Sequence, residues 1–331
     1  MVIRFFKSNQ SATLIVIPVV ALLLWLVTFT SAGSVTAEVR LPSPMGEGLG
    51  MRVVVWIGSH LLFNKITGLI LLILQSMFLN YLVNKHEVLY KRSHLPAFIY
   101  CLLMSMMTPF LCLHSILIVN TFLLLVLDKI LSLYKGVYPL KLVFDASFLI
   151  SLCSIFFFNS LVMWLLLVFS LVILRPFSWR EWVSALIGLI LPYYFLSIYL
   201  LFVGRLGHFW TEQFPSYFTH DWIQINPIPS SAVFLFSMTG FLLLIAFNKL
   251  RKNYYKNMIK TRNFQSILML YLLFALISLA LLPELNSVHF TLLFVPISIF
   301  ISYYFLSAKK QWWLDFLVLV WIGLIVLEHI S

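Results

Sequence analysis

The apolar segment SAVFLFSMTGFLLLIAFN at residues 231–248 is followed at once by the basic segment KLRKNYYKNMIKTR at residues 249–262. An apolar run of this length approaches the roughly 20 residues that an α-helix needs to cross a bilayer. Cytoplasmic loops of membrane proteins accumulate Lys and Arg, because these residues resist translocation. The two segments together therefore predict a transmembrane helix that ends in the cytoplasm.

The composition of the whole chain agrees with this prediction. Hydrophobic residues make up 62% of the 331 positions and charged residues only 10%. Soluble domains contain about 45–50% apolar and about 25% charged residues, so the composition excludes a soluble globular protein. The formal net charge of +11 would suggest nucleic acid as a partner of a soluble protein. Here the basic residues lie in short loops between apolar runs, so we predict contact with anionic phospholipid headgroups and no nucleic acid.

Similar apolar runs recur along the chain and give about eleven predicted crossings. The runs are residues 12–31, 66–82, 97–127, 142–158, 161–174, 183–204, 231–248, 264–282, 288–306 and 312–330, of which the third has room for two helices. With this threading, 18 of the 22 Lys and Arg residues lie on one side, all except Arg40, Arg52, Lys65 and Arg205. The sequence thus predicts an all-α polytopic transmembrane helix bundle in a bacterial inner membrane, with the N-terminus inside and the C-terminus outside. Residues 1–331 are expected to form a single integral membrane domain.

Three pairs of runs share a polar turn on the predicted outer side. Residues 97–127 would make one helix of roughly 46 Å, which is too long for a bilayer core of about 30 Å. Pro109 followed by His114-Ser115 predicts a hairpin there. Asn159-Ser160 and Asn286-Ser287 divide the other two pairs. The first helices, near residues 97–113 and 142–158, look short, and the sequence leaves open whether they cross fully or re-enter. Capping of helix ends by Ser and Asn explains the polar turns without a ligand.

Two outer loops stand apart from the helices. Residues 33–50 are rich in Gly, Pro and Ser and predict an exposed insertion. Residues 205–230 are rich in aromatic side chains, which prefer the headgroup region of a membrane. An amphipathic segment resting on the membrane is the simpler interpretation of this loop. The alternative is a lid over a lipid-linked substrate.

Candidate catalytic and metal-binding residues collect on the same outer side. Glu212, Asp221 and Glu284 are the acids or bases that a membrane enzyme would use there. His114, His208, His220 and His289 are candidate metal ligands. They lack the HxxxH or HxxE spacings that bring ligands together on a helix, so we predict neither a metal site nor a cofactor.

A second set of polar residues falls on the predicted inner side. Its members are Asn84, Glu87, Asp145, Arg175, Arg180 and Glu181. Charged groups near the ends of membrane helices are costly unless they are paired, so we expect Asp128 and Asp145 to pair with Lys129, Lys141, Arg175 or Arg180. A cytoplasmic docking surface or substrate pocket is the alternative. Other membrane proteins are possible partners of this face.

Several motifs resemble one family of membrane proteins. They are NYLVNKHEVL at residues 80–89, KRSHLPAFIY at 91–100, IRFFKSNQ at 3–10, LRPFSWREW at 174–182 and KQWW at 310–313. These resemble an uncharacterised Bacteroidota family of multi-pass membrane proteins, a domain of unknown function, over nearly the whole chain. Some members carry a beta-carotene monooxygenase label, which implies iron bound by histidines within the helices. The histidines here fall mostly in loops or at helix ends, which gives that implication little support.

Three classes of function follow. The sequence favours a non-enzymatic accessory or scaffold component of the envelope, which predicts polar residues paired with one another. An enzyme or flippase acting on a lipid-linked or isoprenoid substrate predicts a lateral groove with the outer acids at its end. A small-solute transporter predicts broken helices, with Pro192 and Pro296 as candidate break points, around a site at the middle of the membrane.

Overall fold

The computed structural model describes residues 2–7, 11–30, 61–134, 136, 138–208, 211, 224–225, 230–282, 284–308 and 311–330. The insertion predicted at residues 33–50 and most of the aromatic loop at 205–230 lie outside this described part of the chain.

The described elements are almost entirely helical. The α-helices are α1 (Val2–Lys7), α2 (Ser11–Thr30), α3 (Leu61–His86), α4 (Leu95–Met104), α5 (Ser115–Ser132), α6 (Pro139–Phe156), α7 (Met163–Leu174), α8 (Trp179–Phe202), α9 (Leu206–His208), α10 (Ser230–Asn253), α11 (Ile259–Ala280), α12 (Phe294–Ser307) and α13 (Gln311–Ile330). Short 3-10 helices cover Thr108–Phe110, Phe158–Val162, Tyr254–Lys256 and Ser287–Leu293. One parallel pairing joins the two-residue strands β1 (Gln224–Ile225) and β2 (Glu284–Leu285). In a bilayer a helix satisfies its own backbone hydrogen bonds, which is why long apolar runs adopt this structure.

Eight helical segments of the described chain are long and apolar enough to cross a membrane. They are Leu62–His86, Ser115–Ser132, Pro139–Phe156, Trp179–Phe202, Ala232–Lys256, Ile259–Ala280, Ser287–Ser307 and Gln311–His329. Three shorter apolar helical segments, Thr13–Leu26, Leu95–Met104 and Phe158–Leu174, lie where the sequence predicts further crossings. The all-α prediction is therefore confirmed, and eleven crossings remain a prediction because three segments are short.

The lengths of the hairpin helices differ from the sequence prediction in one pair. α6 has 18 residues because its helix begins at Pro139, ahead of the apolar run, and continues through Lys141. Proline suits the first turn of a helix, where its missing N–H needs no partner. The short member of this pair is instead α7, which has 12 residues. α4, with 10 residues, is short as predicted.

Contacts between sequence-distant residues place the basic loops at one end of the bundle, which we call the basic end. Lys85 in α3 bonds Asp128 in α5 at 2.9 Å, and Lys129 bonds Asp145 in α6 at 2.9 Å. Lys260 at the start of α11 bonds Glu87 at 3.1 Å. At the same end, the backbone N–H of Ile3 donates to Asp315 in α13, and that of His94 donates to the Phe6 carbonyl. The other ends of these helices form the opposite end of the bundle.

Small residues allow α6 and α8 to pack closely. A Cβ atom on Gly188 of α8 would lie 2.7 Å from the carbonyl oxygen of Phe144 in α6. The Ser147 and Ser151 hydroxyls of α6 donate to the backbone carbonyls of Ala185 and Leu189, the second at 2.7 Å. Membrane helices lack a strong hydrophobic drive to associate, so small side chains and interhelical hydrogen bonds hold such pairs together.

Candidate functional site

The first interrupted segment of the bundle links α4 to α5. After Met104 the chain leaves the helix, makes the 3-10 turn at Thr108–Phe110, and resumes a helix only after His114. The Nδ1 atom of His114 accepts the backbone N–H of Leu117 at 3.1 Å and so caps α5. Nearly all side chains of this segment are buried. Non-helical backbone at membrane depth is tolerated only where protein or water, rather than lipid, surrounds it.

Helix α3 supports this irregular backbone directly. The Oδ1 atom of Asn64 accepts the backbone N–H of Leu113 at 2.6 Å. One turn further along α3, Gly68 faces the same stretch, and a Cβ there would lie 2.9 Å from the carbonyl carbon of Cys112. Asn64 thus satisfies a backbone donor that the break exposes, and Gly68 leaves room for the chain.

The second interrupted segment links α11 to α12. Here Asn286 and His289 cap the 3-10 helix Ser287–Leu293 reciprocally. The Asn286 side chain accepts the backbone N–H of His289, and the backbone N–H of Asn286 donates to His289 Nδ1 at 3.0 Å. Near the end of α11, Ser278 and Asn159 exchange hydrogen bonds between side chain and backbone at 2.8 and 3.3 Å. The sequence anticipated the polar turns at Asn159 and Asn286, but it did not show that α12 begins only at Phe294.

The two interrupted segments meet inside the bundle. The rings of Phe110 and Phe294 lie 5.7 Å apart in an edge-to-face contact. The Nδ2 atom of Asn120 in α5 donates to the Thr291 carbonyl of the second segment at 3.1 Å. His289 lies close enough to His114 to affect it electrostatically. Both breaks therefore face one region of the core.

Polar side chains connect this region to the middle of α3. The Tyr100 hydroxyl donates to Gln75 Oε1 at 2.7 Å. Gln75 Nε2 in turn donates to the Leu117 carbonyl at 2.6 Å and to the Thr121 hydroxyl at 2.7 Å. Asn120 and Tyr271 lie near the Tyr100 side chain. We call Gln75, Tyr100, His114, Asn120, Tyr271 and His289 the central polar cluster.

Three atoms of the central polar cluster have no hydrogen-bond partner. They are His114 Nε2, Asn120 Oδ1 and the Tyr271 hydroxyl, and all three residues are 0% exposed. A buried polar group without a partner costs about 1–3 kcal/mol. Such groups are kept where they meet a ligand, an ion or water. Gln75 and Tyr271 lie near the middles of their helices, whereas His114 and His289 precede α5 and α12 on the side away from the basic end. The cluster therefore extends from the middle of the bundle toward the end opposite the basic end.

The structure brings together only some of the candidate metal ligands. His114 and His289 are neighbours in the core, at 0% and 6% exposure, rather than solvent-facing residues of an outer surface. The side chain of His208 and all of His220 lie outside the described residues. Within the described part of the chain, no three His, Cys, Asp or Glu side chains are placed to hold a metal ion.

Of the three candidate catalytic acids, only the backbone of Glu284 belongs to the described part of the chain. Glu212 and Asp221 lie outside the described residues, and so does the side chain of Glu284. The backbone of Glu284 pairs with Gln224 in the short parallel ladder. This pairing places residues 224–225 beside residues 284–285 of the second interrupted segment.

The inner-side set of polar residues is distributed over separate contacts at the basic end. Glu87 bonds Lys260, and Asp145 bonds Lys129, as described above. Arg175 lies 3.7 Å from Glu181, and Arg180 lies 6.0 Å from the Trp179 ring. Asn84 exchanges hydrogen bonds with the backbone of Ser93 at 3.2 and 3.3 Å. The hydrogen bond and positive charge of Lys260 lower the pKa of Glu87.

Asp128 pairs with residues that sequence reasoning did not name. Its carboxylate bonds Lys85 and also His86 Nε2, the latter at 2.8 Å. The sequence pointed to cations next to the acids along the chain, whereas helix packing brings α3 against α5. Sequence spacing around Asp128 therefore does not reveal Lys85 and His86, which lie on another helix.

Eight membrane-length helices in the described part of the chain, packed around a largely apolar core, indicate a helical integral membrane protein. The chain belongs to the family of unknown function DUF6427, whose model matches residues 48–330. The matched region begins after α2 and after most of the predicted insertion. No curated protein and no solved structure matches the chain.

Proposed function

We propose that this protein is a non-enzymatic component of a bacterial inner membrane that binds a small, uncharged polar solute at the central polar cluster. The observation that carries the proposal is the contact between two interrupted segments in a core where His114, Asn120 and Tyr271 each hold a buried polar atom without a hydrogen-bond partner. In secondary transporters, substrate sites near the middle of the membrane are typically built from discontinuous helices.

The chemistry of the cluster favours an uncharged solute. His114, Asn120 and Tyr271 offer neutral donors and acceptors, and the cluster contains no Asp, Glu, Lys or Arg. An ion bound there would have no countercharge among these side chains, which makes its desolvation costly. A molecule with hydroxyl or amide groups would instead supply the missing hydrogen bonds.

The proposal also includes the orientation of the protein. Lys and Arg of the basic end would face the cytoplasm, with α13 ending on the opposite side. The positive-inside rule supports this orientation. The gathering of several Lys- and Arg-containing loops at one end of the bundle gives this orientation further support.

A structural component without a ligand is the second candidate. It is favoured by the ion pairs that join different helices at the basic end, notably Lys85 with Asp128 and Lys129 with Asp145. In that case the polar groups serve to fix helix ends, and the central polar cluster stays closed to solutes.

Modification of Cys153 separates the two candidates. Cys153 is 0% exposed and lies close enough to Tyr271 to act on it electrostatically. In a variant with Cys101 and Cys112 replaced by Ala, the small neutral reagent 2-hydroxyethyl methanethiosulfonate would be added to membranes. A solute site predicts that Cys153 is modified within minutes, because a polar molecule can reach it.

The matched control replaces Ile187 of α8 by Cys in a chain without native cysteines. Ile187 is 52% exposed and faces outward from the bundle, where lipid surrounds it. A thiol in lipid stays protonated and reacts slowly. If Cys153 reacts no faster than this control, the core is closed and the structural candidate replaces the solute site.

A further inference from the structure

A lateral groove lies between α7, α10 and α11 on the outside of the bundle. Its volume is about 740 Å³, and apart from Tyr254, Gln265 and Ser266 it is lined by apolar side chains such as Leu273 and Leu276. Leu273 and Leu276 on its wall are each 47% exposed, so the groove opens sideways. In a membrane this opening would face lipid chains.

The groove is polar only where it reaches the basic end. There the Tyr254 hydroxyl and Ser266 Oγ lie 3.1 Å apart. Gln265 is 2% exposed, and its Oε1 accepts from Asn257 Nδ2 at 3.1 Å. The Nε2 atom of Gln265 has no hydrogen-bond partner. The Gln265 side chain thus lines the groove, with its unpartnered amide nitrogen buried just beneath the surface.

Positive charge surrounds the polar end of the groove. The segment from Lys249 to Arg262 carries six cations and no Asp or Glu. Arg262 lies one helical turn before Ser266, whose hydroxyl donates to the Arg262 carbonyl at 3.0 Å. The Arg262 guanidinium also lies 6.0 Å from the Tyr254 ring. Arg262 therefore stands at the entrance of the groove, where a ligand with a negative headgroup would place its charge.

The length of the apolar wall matches one leaflet. From Gln265 to Ile277 the helix rises roughly 18 Å at 1.5 Å per residue, close to half of a hydrocarbon core of about 30 Å. We propose that this groove is a binding site for an anionic phospholipid of the leaflet at the basic end, with an acyl chain along α11 and the phosphate near Arg262. The Gln265 side chain then turns toward the groove, and its amide donates to a lipid ester or phosphate oxygen. This site is separate from the central polar cluster.

Native mass spectrometry of the full chain in detergent, titrated with phosphatidylglycerol or phosphatidylcholine, tests the proposal. We expect phosphatidylglycerol to bind more tightly. Arg262→Gln should lower the affinity for phosphatidylglycerol about fivefold, which is the effect of one basic residue near a membrane surface. The matched control is Lys91→Gln, which removes an exposed cation from a loop at the same end. This control should leave the affinity within about twofold, because Lys91 lies in the loop between α3 and α4, a different segment from Tyr254 and Ser266 at the polar end of the groove, and salt screens an exposed charge.

Two further variants separate the groove from general attraction to a basic surface. Gln265→Leu removes the unpartnered donor and should lower the affinity for phosphatidylglycerol severalfold. Leu273→Trp fills the open side of the groove and should reduce binding of both lipids. Monodisperse elution in size-exclusion chromatography shows that each variant is folded.

Several results would overturn the proposal. Equal affinity for phosphatidylglycerol and phosphatidylcholine would do so, and so would equal weakening by Arg262→Gln and Lys91→Gln. If Leu273→Trp binds phosphatidylglycerol as tightly as the wild type does, the lipid binds outside this groove. Tighter binding of a polyprenyl phosphate than of phosphatidylglycerol would show that the groove takes an isoprenoid instead of a phospholipid.

Discussion

Gly68 of α3 lies directly against the backbone of Cys112, such that a Cβ on residue 68 would approach the Cys112 carbonyl carbon to 2.9 Å. Together with the hydrogen bond from the Leu113 N–H to Asn64, this contact holds the first interrupted segment against α3. Because the neighbouring atoms belong to the backbone, they cannot move aside as a flexible side chain would.

The first prediction is that Gly68→Ala destabilises the protein. Overpacking of this kind typically costs about 1–3 kcal/mol, which exceeds the gain of up to about 1 kcal/mol from replacing a helical glycine by alanine. Gly323→Ala in α13 is the matched control, since no atom lies within 4 Å of its added Cβ. Thermal unfolding in detergent should show a lower melting temperature for Gly68→Ala alone. Equal melting temperatures for both variants would contradict the close contact.

The second prediction compares two buried tyrosines of the central polar cluster. The Tyr100 hydroxyl donates to Gln75, so Tyr100→Phe leaves a buried acceptor unsatisfied and should destabilise the protein by about 1–3 kcal/mol. The Tyr271 hydroxyl has no partner, so Tyr271→Phe should leave stability unchanged or raise it. Denaturant titration monitored by tryptophan fluorescence would measure both. A large loss of stability in Tyr271→Phe would reveal a partner for that hydroxyl.

The third prediction concerns the ion pairs at the basic end. Asp128→Asn removes the charge that Lys85 and His86 share and should cost about 0.5–1 kcal/mol, the range for partly exposed pairs. The double variant Lys85→Gln with Asp128→Asn should cost less than the sum of the two single variants. High salt should reduce the difference between variant and wild type. Strict additivity of the two substitutions would show that the pair contributes nothing.

The fourth prediction is a loss of stability in acid that depends on His94. His94 lies in the loop before α4, and burial lowers the pKa of its imidazole. Its Nδ1 atom accepts a hydrogen bond from Asn80 Nδ2 at 2.9 Å. The unfolded chain then binds a proton at a pH where the folded chain does not. Stability should therefore be complete above the unfolded pKa of about 6.5 and should fall as the pH drops from there toward the lowered folded pKa.

The variant His94→Gln isolates this contribution. It cannot titrate, so its melting temperature should fall less than that of wild type between pH 7.5 and 5.5. Identical pH dependence in the two proteins would mean that other groups cause the acid sensitivity.

Sequence reasoning predicted the helices well because their signals are local. An apolar run of about 20 residues flanked by basic loops specifies a membrane helix by itself. The break at Pro109 and the polar turns at His114 and Asn286 were equally local, since caps and proline act within one turn.

His114 and His289 were candidates from the sequence, but the rest of the central polar cluster was missed because its members come from different helices. Gln75 and Tyr100 are single polar groups within long apolar runs, and only the packing of α3 against α4 shows that they are bonded. A lone amide such as Gln75 or Asn120 in the middle of an apolar run was the available signal, because membrane helices rarely carry one without a partner or a function. α8 continues unbroken through Pro192, whereas Pro296 lies in the first turn of α12, directly after the 3-10 helix of the second interrupted segment.

The most direct measurement is the labelling of single cysteines in intact cells, because every functional inference depends on how the bundle crosses the membrane. In a chain without native cysteines, Asn257→Cys marks the basic end and Val203→Cys marks the opposite end. We predict that an impermeant maleimide labels residue 203 in intact cells and labels residue 257 only after permeabilisation. Labelling of residue 257 in intact cells would contradict the account.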